Sequence, residues 1–422
     1  MASNTAVWGI DIGQYALKAL RCRANPGNPQ SIVAEAFDFI EYPKILSQPD
    51  AEPAELVSEA LKQFLSRNTV RGARVAISVS GQSGLARFIK LPPVESKKIP
   101  DIVKYEARQQ IPFPLDDVIW DYQQMAGGSE ADGFTMETEV GLFAMKRDQV
   151  HRALKPFEEA GVEVDVIQLA PLAIYNYAVF DQMSALPPPE EYNPDDPPES
   201  IVLLSLGTDT SDLVVTNGYR VWQRSLPIGG SHFTKALTKE LRLTFAKAEH
   251  LKKNATQAED AKAVFQAMRP VFNDLVTEVQ RSIAYFSGLD RKAKIGNVLA
   301  LGNAMKLPGL QKYLAQNLNY SVAEVTGYRG LEGADVIGSP AFKENLLSFA
   351  VCYGLTLQGL GMSALRTNLL PRELLTQRLI RAKKPWMVGT AAALLLACTV
   401  SYAGYYSSYS SVNKSGFTQA FT

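Results

Sequence analysis

The chain has 422 residues, long enough for two or more domains that each bury a substantial core. Its 43 basic and 43 acidic residues cancel, which argues against nucleic acid as a bulk partner. Cys22, Cys352 and Cys398 form no CxxC or metal spacing, and His151, His232 and His250 are scattered. That excludes a zinc site or histidine triad and suits a reducing compartment.

Strand-like sequence starts at Val7, so no N-terminal signal peptide is expected. The run from Val7 to Ile12 is apolar except for Asp11 and closes at Gly13, which reads as a buried strand entering a tight turn. A return strand from Leu17 to Arg21 completes a hairpin. Backbone N–H groups around Gly13 and Gln14 would suit a phosphate. One such hairpin is equally an ordinary edge turn. Strands follow at Ile32–Phe39 and Arg74–Val79, with an amphipathic helix from Glu55 to Arg67 between them. Phe88 to Leu91 continues into Pro92-Pro93.

From Val94 the pattern shifts. Ile99 to Gln110 reads as a helix, with Pro100 tolerated in its first turn. Ile111 to Pro114 must be extended, because a residue before proline avoids the α region. Val118–Met125 and Glu137–Met145 read as strands flanking a glycine-rich loop. A helix over Lys146–Ala160 and a strand over Glu163–Gln168 close this compact set. The acidic, proline-rich stretch 186–199 holds neither helix nor central strand and reads as an exposed linker.

The second half repeats the opening. Ile201 to Leu206, the turn Gly207-Thr208-Asp209-Thr210, and a return strand through Val215 have the same form as the first hairpin. Two such hairpins suggest an internal duplication with a cleft between the halves, gripping a nucleotide from both sides. Gly229 and Gly230 lead into a helix at about Ser231. Glu249 and Lys252 share a helix face at i,i+3, which also fits a surface ion pair. A long helix near Glu259–Gly288 keeps a 3.6 period, and Asn297 to Leu301 is a strand ending at Gly302-Asn303. Leu346 to Leu360 is an apolar helix returning to the first half.

These motifs, in this order, resemble the actin-like ATPase superfamily, an α/β, ASKHA or RNase H-like, duplicated two-lobed fold. The stretch from Leu91 to Tyr122, LPPVESKKIPDIVKYEARQQIPFPLDDVIWDY, narrows this to the PilM proteins of type IV pilus machines, with an α+β subdomain inserted where the division protein FtsA has one. The implied layout is a first lobe over 1–92 and 163–186, the insertion over 93–162, and a linker over 187–199. A second lobe over 200–230 and 295–363 carries a helical subdomain over 231–294. The resemblance implies ATP and Mg²⁺ as ligands. The nucleotide would meet Asp11, Gly13, Gln14, Gly207, Thr208, Asp209, Gly229, Gly230, Glu249, Lys252, Gly302 and Asn303, with Asp11 as the Mg²⁺ acid. Against full activity, Ser205 stands where the second acid is expected; Asp209 and Asp212 are offset substitutes. Ala170 occupies the place of a water-orienting residue, leaving Gln168 as the nearby candidate. Weak binding and little turnover are expected.

The C-terminal part does not belong to PilM. Asn368-Leu369-Leu370-Pro371 resembles the cytoplasmic Asn-Leu-Leu-Pro peptide of PilN, the membrane partner of PilM. A docking peptide over 364–376, a basic segment over 377–384, a span over 385–406 and a short tail over 407–422 are expected. Pro385 to Tyr406 is uncharged and long enough to cross ~30 Å of hydrocarbon. Arg378, Arg381, Lys383 and Lys384 precede it, which keeps the bulk of the chain cytoplasmic and the C-terminus outside the inner membrane. The resemblance implies PilN- and PilO-like platform partners, and docking on a neighbouring chain would give self-association. Pilus or type II secretion scaffold is the favoured function. An FtsA-like division protein and an ATP-dependent kinase on the same fold are the alternatives.

Overall fold

The computed structural model describes residues 5–127, 129–131, 134–136 and 138–414. It divides into two compact units between Leu369 and Leu370. The first unit opens with an antiparallel meander of β1 (Val7–Ile12), β2 (Ala16–Ala24) and β3 (Ile32–Glu41). Helix α1 (Pro53–Arg67) starts on a proline, whose missing N–H costs nothing in a first turn, and buries Val57, Leu61 and Phe64. The Phe64 ring meets Trp8 of β1 edge-on at 4.9 Å, fixing the helix to the sheet. Strand β4 (Arg74–Val79) runs parallel to β1.

The inserted set follows as β5 (Gly84–Lys90), β6 (Val94–Glu95), α2 (Ile99–Gln110), β7 (Val118–Gln124), β8 (Ser129–Ala131), β9 (Phe134–Met136) and β10 (Glu139–Lys146). Strands β5, β10 and β7 form an antiparallel sheet on which Ile99, Val103 and Ala107 of α2 pack. The expected glycine-rich loop carries the β8–β9 hairpin instead, paired to β6; residues 128, 132, 133 and 137 lie outside the described residues.

Helix α3 (Arg147–Glu159) leads to β11 (Val166–Leu169), which pairs parallel with β4. Helix α4 (Ala170–Tyr177) then lies inside the core from Pro171 onward. It was invisible to periodicity because every one of its faces is apolar or buried.

The second half brings β12 (Ser200–Leu206), β13 (Ser211–Thr216), β14 (Val221–Leu226), α5 (Gly230–Glu240), α6 (Phe245–Lys253) and α7 (Ala261–Leu289). It continues with β15 (Ile295–Leu301), α8 (Leu310–Leu318), β16 (Ser321–Glu324), β17 (Leu331–Glu332), α9 (Ala334–Ile337), α10 (Pro340–Glu344) and α11 (Ala350–Leu360). The first sheet runs β11-β4-β1-β2-β3-β17 and the second β14-β13-β12-β15-β16. Leaving β17 aside, each sheet is an antiparallel meander extended by two strands parallel to its first member. The hairpins recognised in the sequence occupy equivalent places in the two sheets.

Helix α11 packs between β1 and α4 because Gly354 offers no side chain; a Cβ there would lie 1.8 Å from the Ala173 carbonyl. The linker over 187–199 is largely exposed, as expected, but it is tied to the body at two points. Tyr192 is buried, stacks on Tyr219 at 4.4 Å, and Asp195 pairs with Lys292 at 2.6 Å. An aromatic ring in a polar loop recovers free energy by burial.

The second unit is dominated by α12 (Arg372–Lys414), one continuous helix. Residues 372–384 cover the end of the expected docking peptide and the basic segment. They are helical, since Arg, Glu, Leu, Gln and Lys are all good helix formers. Among the described residues this is the helix long and apolar enough to cross a membrane. Residues 415–422 of the expected tail lie outside the described residues.

Candidate functional site

The turns of the two equivalent hairpins face one cleft of ≈ 530 Å³. On the first side Asp11 lies opposite Lys18 in the β1–β2 ladder. Its carboxylate pairs with Lys18 Nζ and accepts a 2.5 Å hydrogen bond from Ser78 Oγ. Burial works against the Lys18 charge, but Asp11 more than offsets it, so its pKa is raised. Gly13 and Gln14 line the same side.

On the second side Ser205 and Asp212 are ladder partners across β12–β13. Asp212 accepts 2.5 Å from Ser225 Oγ. Burial pushes its carboxyl up to about 6, Ser225 opposes the shift, and the charge of Asp11 adds to it. Ser205 and Asp212 both line the cleft. Gly207 and Thr208 line the cleft, and Gly207 N closes the turn on Thr210 O at 3.0 Å. Asp209 Oδ1 accepts 2.6 Å from Ser231 Oγ, while its buried Oδ2 has no hydrogen-bond partner.

Gly230 lines the cleft at the start of α5; Gly229 does not. A Cβ on Gly229 would meet the Thr208 carbonyl at 2.5 Å, so this glycine backs the turn. Glu249 and Lys252 pair at 2.7 Å with side chains 22% and 12% exposed, so this is a cleft wall and not a surface pair. Burial lowers the Lys252 pKa, with Glu249 opposing. Thr234 Oγ1 donates to Glu249 at 2.5 Å. Gly302 has φ +84° and sits where a Cβ would lie 2.3 Å from the Leu206 carbonyl. Asn303 Nδ2 donates to Asn345 Oδ1 at 2.8 Å, and its buried Oδ1 has no partner.

Gln168 is a correction. It is buried outside the cleft lining, with Nε2 donating to Gln358 Oε1 at 3.1 Å and to Thr367 O at 2.9 Å. Its side chain is buried and committed to these bonds, so it cannot orient a water in the cleft. Ala170 is the residue that faces the cleft there. Lys18, Ser80, Gln82 and Lys253 also line it and were not singled out in the sequence. The signal for Lys18 was present: it and Asp11 are equidistant from the turn centre, which makes them opposite one another in a hairpin.

Gln168 leads to a second feature. The segment 363–369 fills a crevice between two sheet edges, β11 and β7. Leu369 N donates to Ile167 O at 3.0 Å, and Ile167 N donates to Asn368 Oδ1 at 2.9 Å. Asn368 Nδ2 donates to Asp165 O at 2.9 Å, and Asn368 N donates to Asp121 Oδ2 at 2.9 Å. Gln123 of β7 accepts from Arg366 N at 2.8 Å and donates to Ala364 O at 2.8 Å. Asn176 Oδ1 accepts from Leu365 N at 2.8 Å. Leu369 is fully buried. The segment thus supplies partners to edge strands of both the first sheet and the insertion, much as an added peptide strand does. Leu370 and Pro371, expected in the same peptide, begin the second unit.

A family profile described as type IV pilus assembly protein PilM matches residues 9–360. The chain belongs to the PilM family. The fold of this PilM-family chain is accordingly that of the actin-like ATPases. The solved PilM–PilN type IV pilus biogenesis complex overlays with a TM-score of 0.69 at 24% identity, covering 85% of this chain and 99% of that one. At that identity it bears on the fold alone. Cell division protein FtsA of Bacillus subtilis (strain 168) is 28% identical over 127 residues, 30% of this chain and 26% of FtsA, so the match spans about a quarter of that relative. The cytoplasmic domain of EpsL, an inner membrane component of the type II secretion system of Vibrio cholerae, overlays at a TM-score of only 0.37. It is 10% identical, over 87% of this chain and 98% of that domain, too loose an overlay to argue from. The PilM profile ends at residue 360, just before the docked segment.

Proposed function

We propose that this PilM-family chain is a membrane-anchored cytoplasmic scaffold of a type IV pilus assembly platform. Its C-terminal part is a PilN-like peptide and span joined to the PilM body. The docked segment 363–369 carries this reading, because it seats a peptide on the PilM body and runs directly on to α12. The single span holds the chain in the inner membrane, with the body inside and the C-terminus outside. PilN- and PilO-like platform proteins are the partners. Docking in cis leaves self-association through residues 367–375 unnecessary for filling the crevice.

The cleft grips ATP without turning it over. Its size and its two glycine turns fit a nucleotide, and the unpartnered Asp209 Oδ2 and Asn303 Oδ1 offer acceptors to bound water or ligand hydroxyls. Among the described residues no three metal-ligating side chains cluster, so Mg²⁺ would come with the phosphates, flanked by Asp11 and Asp212. Mg²⁺ there would neutralise phosphate charge. Asp11 is already committed to Lys18 and Ser78, and Ala170 offers no group to orient an attacking water.

The test uses the full chain in detergent micelles. Calorimetric titration with ATP is expected to give one binding site, and a phosphate-release assay to stay at background with or without Mg²⁺. Mg²⁺-dependent release well above background would replace the scaffold by an ATP-driven enzyme.

A further inference from the structure

Tyr15 and Lys253 approach one another from opposite sides of the cleft. Tyr15 stands in the β1–β2 turn, and Lys253 is the last residue of α6. Lys253 Nζ donates to Tyr15 Oη at 3.3 Å and lies 5.2 Å from the centre of its ring. Tyr15 Oη in turn donates to Glu41 Oε2 at 2.6 Å. The chain of donors therefore runs in one direction, from cation through phenol to carboxylate. Burial, the Glu41 hydrogen bond and the Glu41 charge all raise the phenol pKa, so it stays protonated. The turn that carries Tyr15 is itself pinned to the first half, since Tyr42 N donates to Tyr15 O at 3.0 Å and Leu46 N to Gln14 O at 2.9 Å. Tyr15, Glu41 and Lys253 all line the cleft.

We propose that Tyr15 and Lys253 form a latch, a contact that bridges the cleft and sets how fast a bound nucleotide leaves. The proposal rests on the nucleotide reading above. One partner is fixed and half-buried; the other is an exposed lysine on a flexible stem at a helix end. An exposed cation on a ring and a hydroxyl is a weak contact, made and broken easily, which is what a reversible bridge across a cleft needs. Glu41 holds the hydroxyl's proton, leaving its lone pair for the lysine.

The experiment is stopped-flow release of a fluorescent methylanthraniloyl-ATP, chased with ATP, on the full chain in micelles. Tyr15→Phe keeps the ring and removes the hydroxyl; Lys253→Met keeps the stem and removes the charge. Each is expected to speed release by about three- to tenfold, as the loss of one partly exposed charge-assisted contact should. Together they are expected to do no more than the stronger single change. Wild-type release rates in both variants, or independent effects that multiply, would overturn the latch while leaving nucleotide binding intact. Failure of the wild type to bind the probe at all would overturn the nucleotide reading and the latch with it.

Discussion

Asp212 is held at the base of the second hairpin with its carboxyl pushed from 3.8 up to about 6, chiefly by burial. Below pH 4 the folded and unfolded chains both carry the proton, and the group is neutral in the balance. As pH rises from about 4 through 6 the unfolded chain ionises first, and the folded state loses stability. Above 6 the penalty is complete, on the order of 1–3 kcal/mol. Asp212→Asn is therefore expected to raise the melting temperature at pH 8 while changing it little at pH 4. An equal shift at both values, read by thermal melts, would contradict the buried, shifted acid. Gly302 is the other residue with a sharp expectation. Its positive φ and the Leu206 carbonyl leave no room for a methyl group, so Gly302→Ala should cost on the order of 2 kcal/mol or more in urea unfolding.

At the scale of elements, the segment 363–369 joins strands that are far apart in sequence. Its Asn368 side chain both accepts from Ile167 N and donates to Asp165 O. Asn368→Ala would leave a buried backbone N–H unpaired at about 1–3 kcal/mol. The expected result is faster proteolysis within 363–371, and Leu369→Asp should act more strongly. Unchanged cleavage in both would sink the docking. Much of this scale was legible in the sequence. Helix α2 and strand β4 match their expected bounds, and the two hairpins follow from alternation closed by glycine. What was illegible has physical causes. Helix α4 is buried all round and has no polar face to mark a period. Lys252 and Glu249 have the spacing of a surface pair, and only the approach of α5 makes them a cleft wall. Gln168 lies two positions before the cleft-lining Ala170, but its side chain is taken up by Gln358 and Thr367, partners far away in sequence.

The whole molecule pairs a duplicated actin-like fold with a helix of membrane-spanning length. The basic residues Arg378, Arg381 and Lys383 lie on its N-terminal side. A reporter fused after the C-terminus is expected to be active only outside the inner membrane; a cytoplasmic signal would reverse the orientation. The docked segment links these two parts, and hydrogen–deuterium exchange on the full chain tests it most directly. The amides of Leu365, Arg366, Asn368 and Leu369 all donate to partners in the body of the same chain. Their exchange is expected to be slow and unchanged by roughly tenfold dilution. Fast exchange, or protection that fades as the protein is diluted, would contradict a scaffold that fills its own crevice.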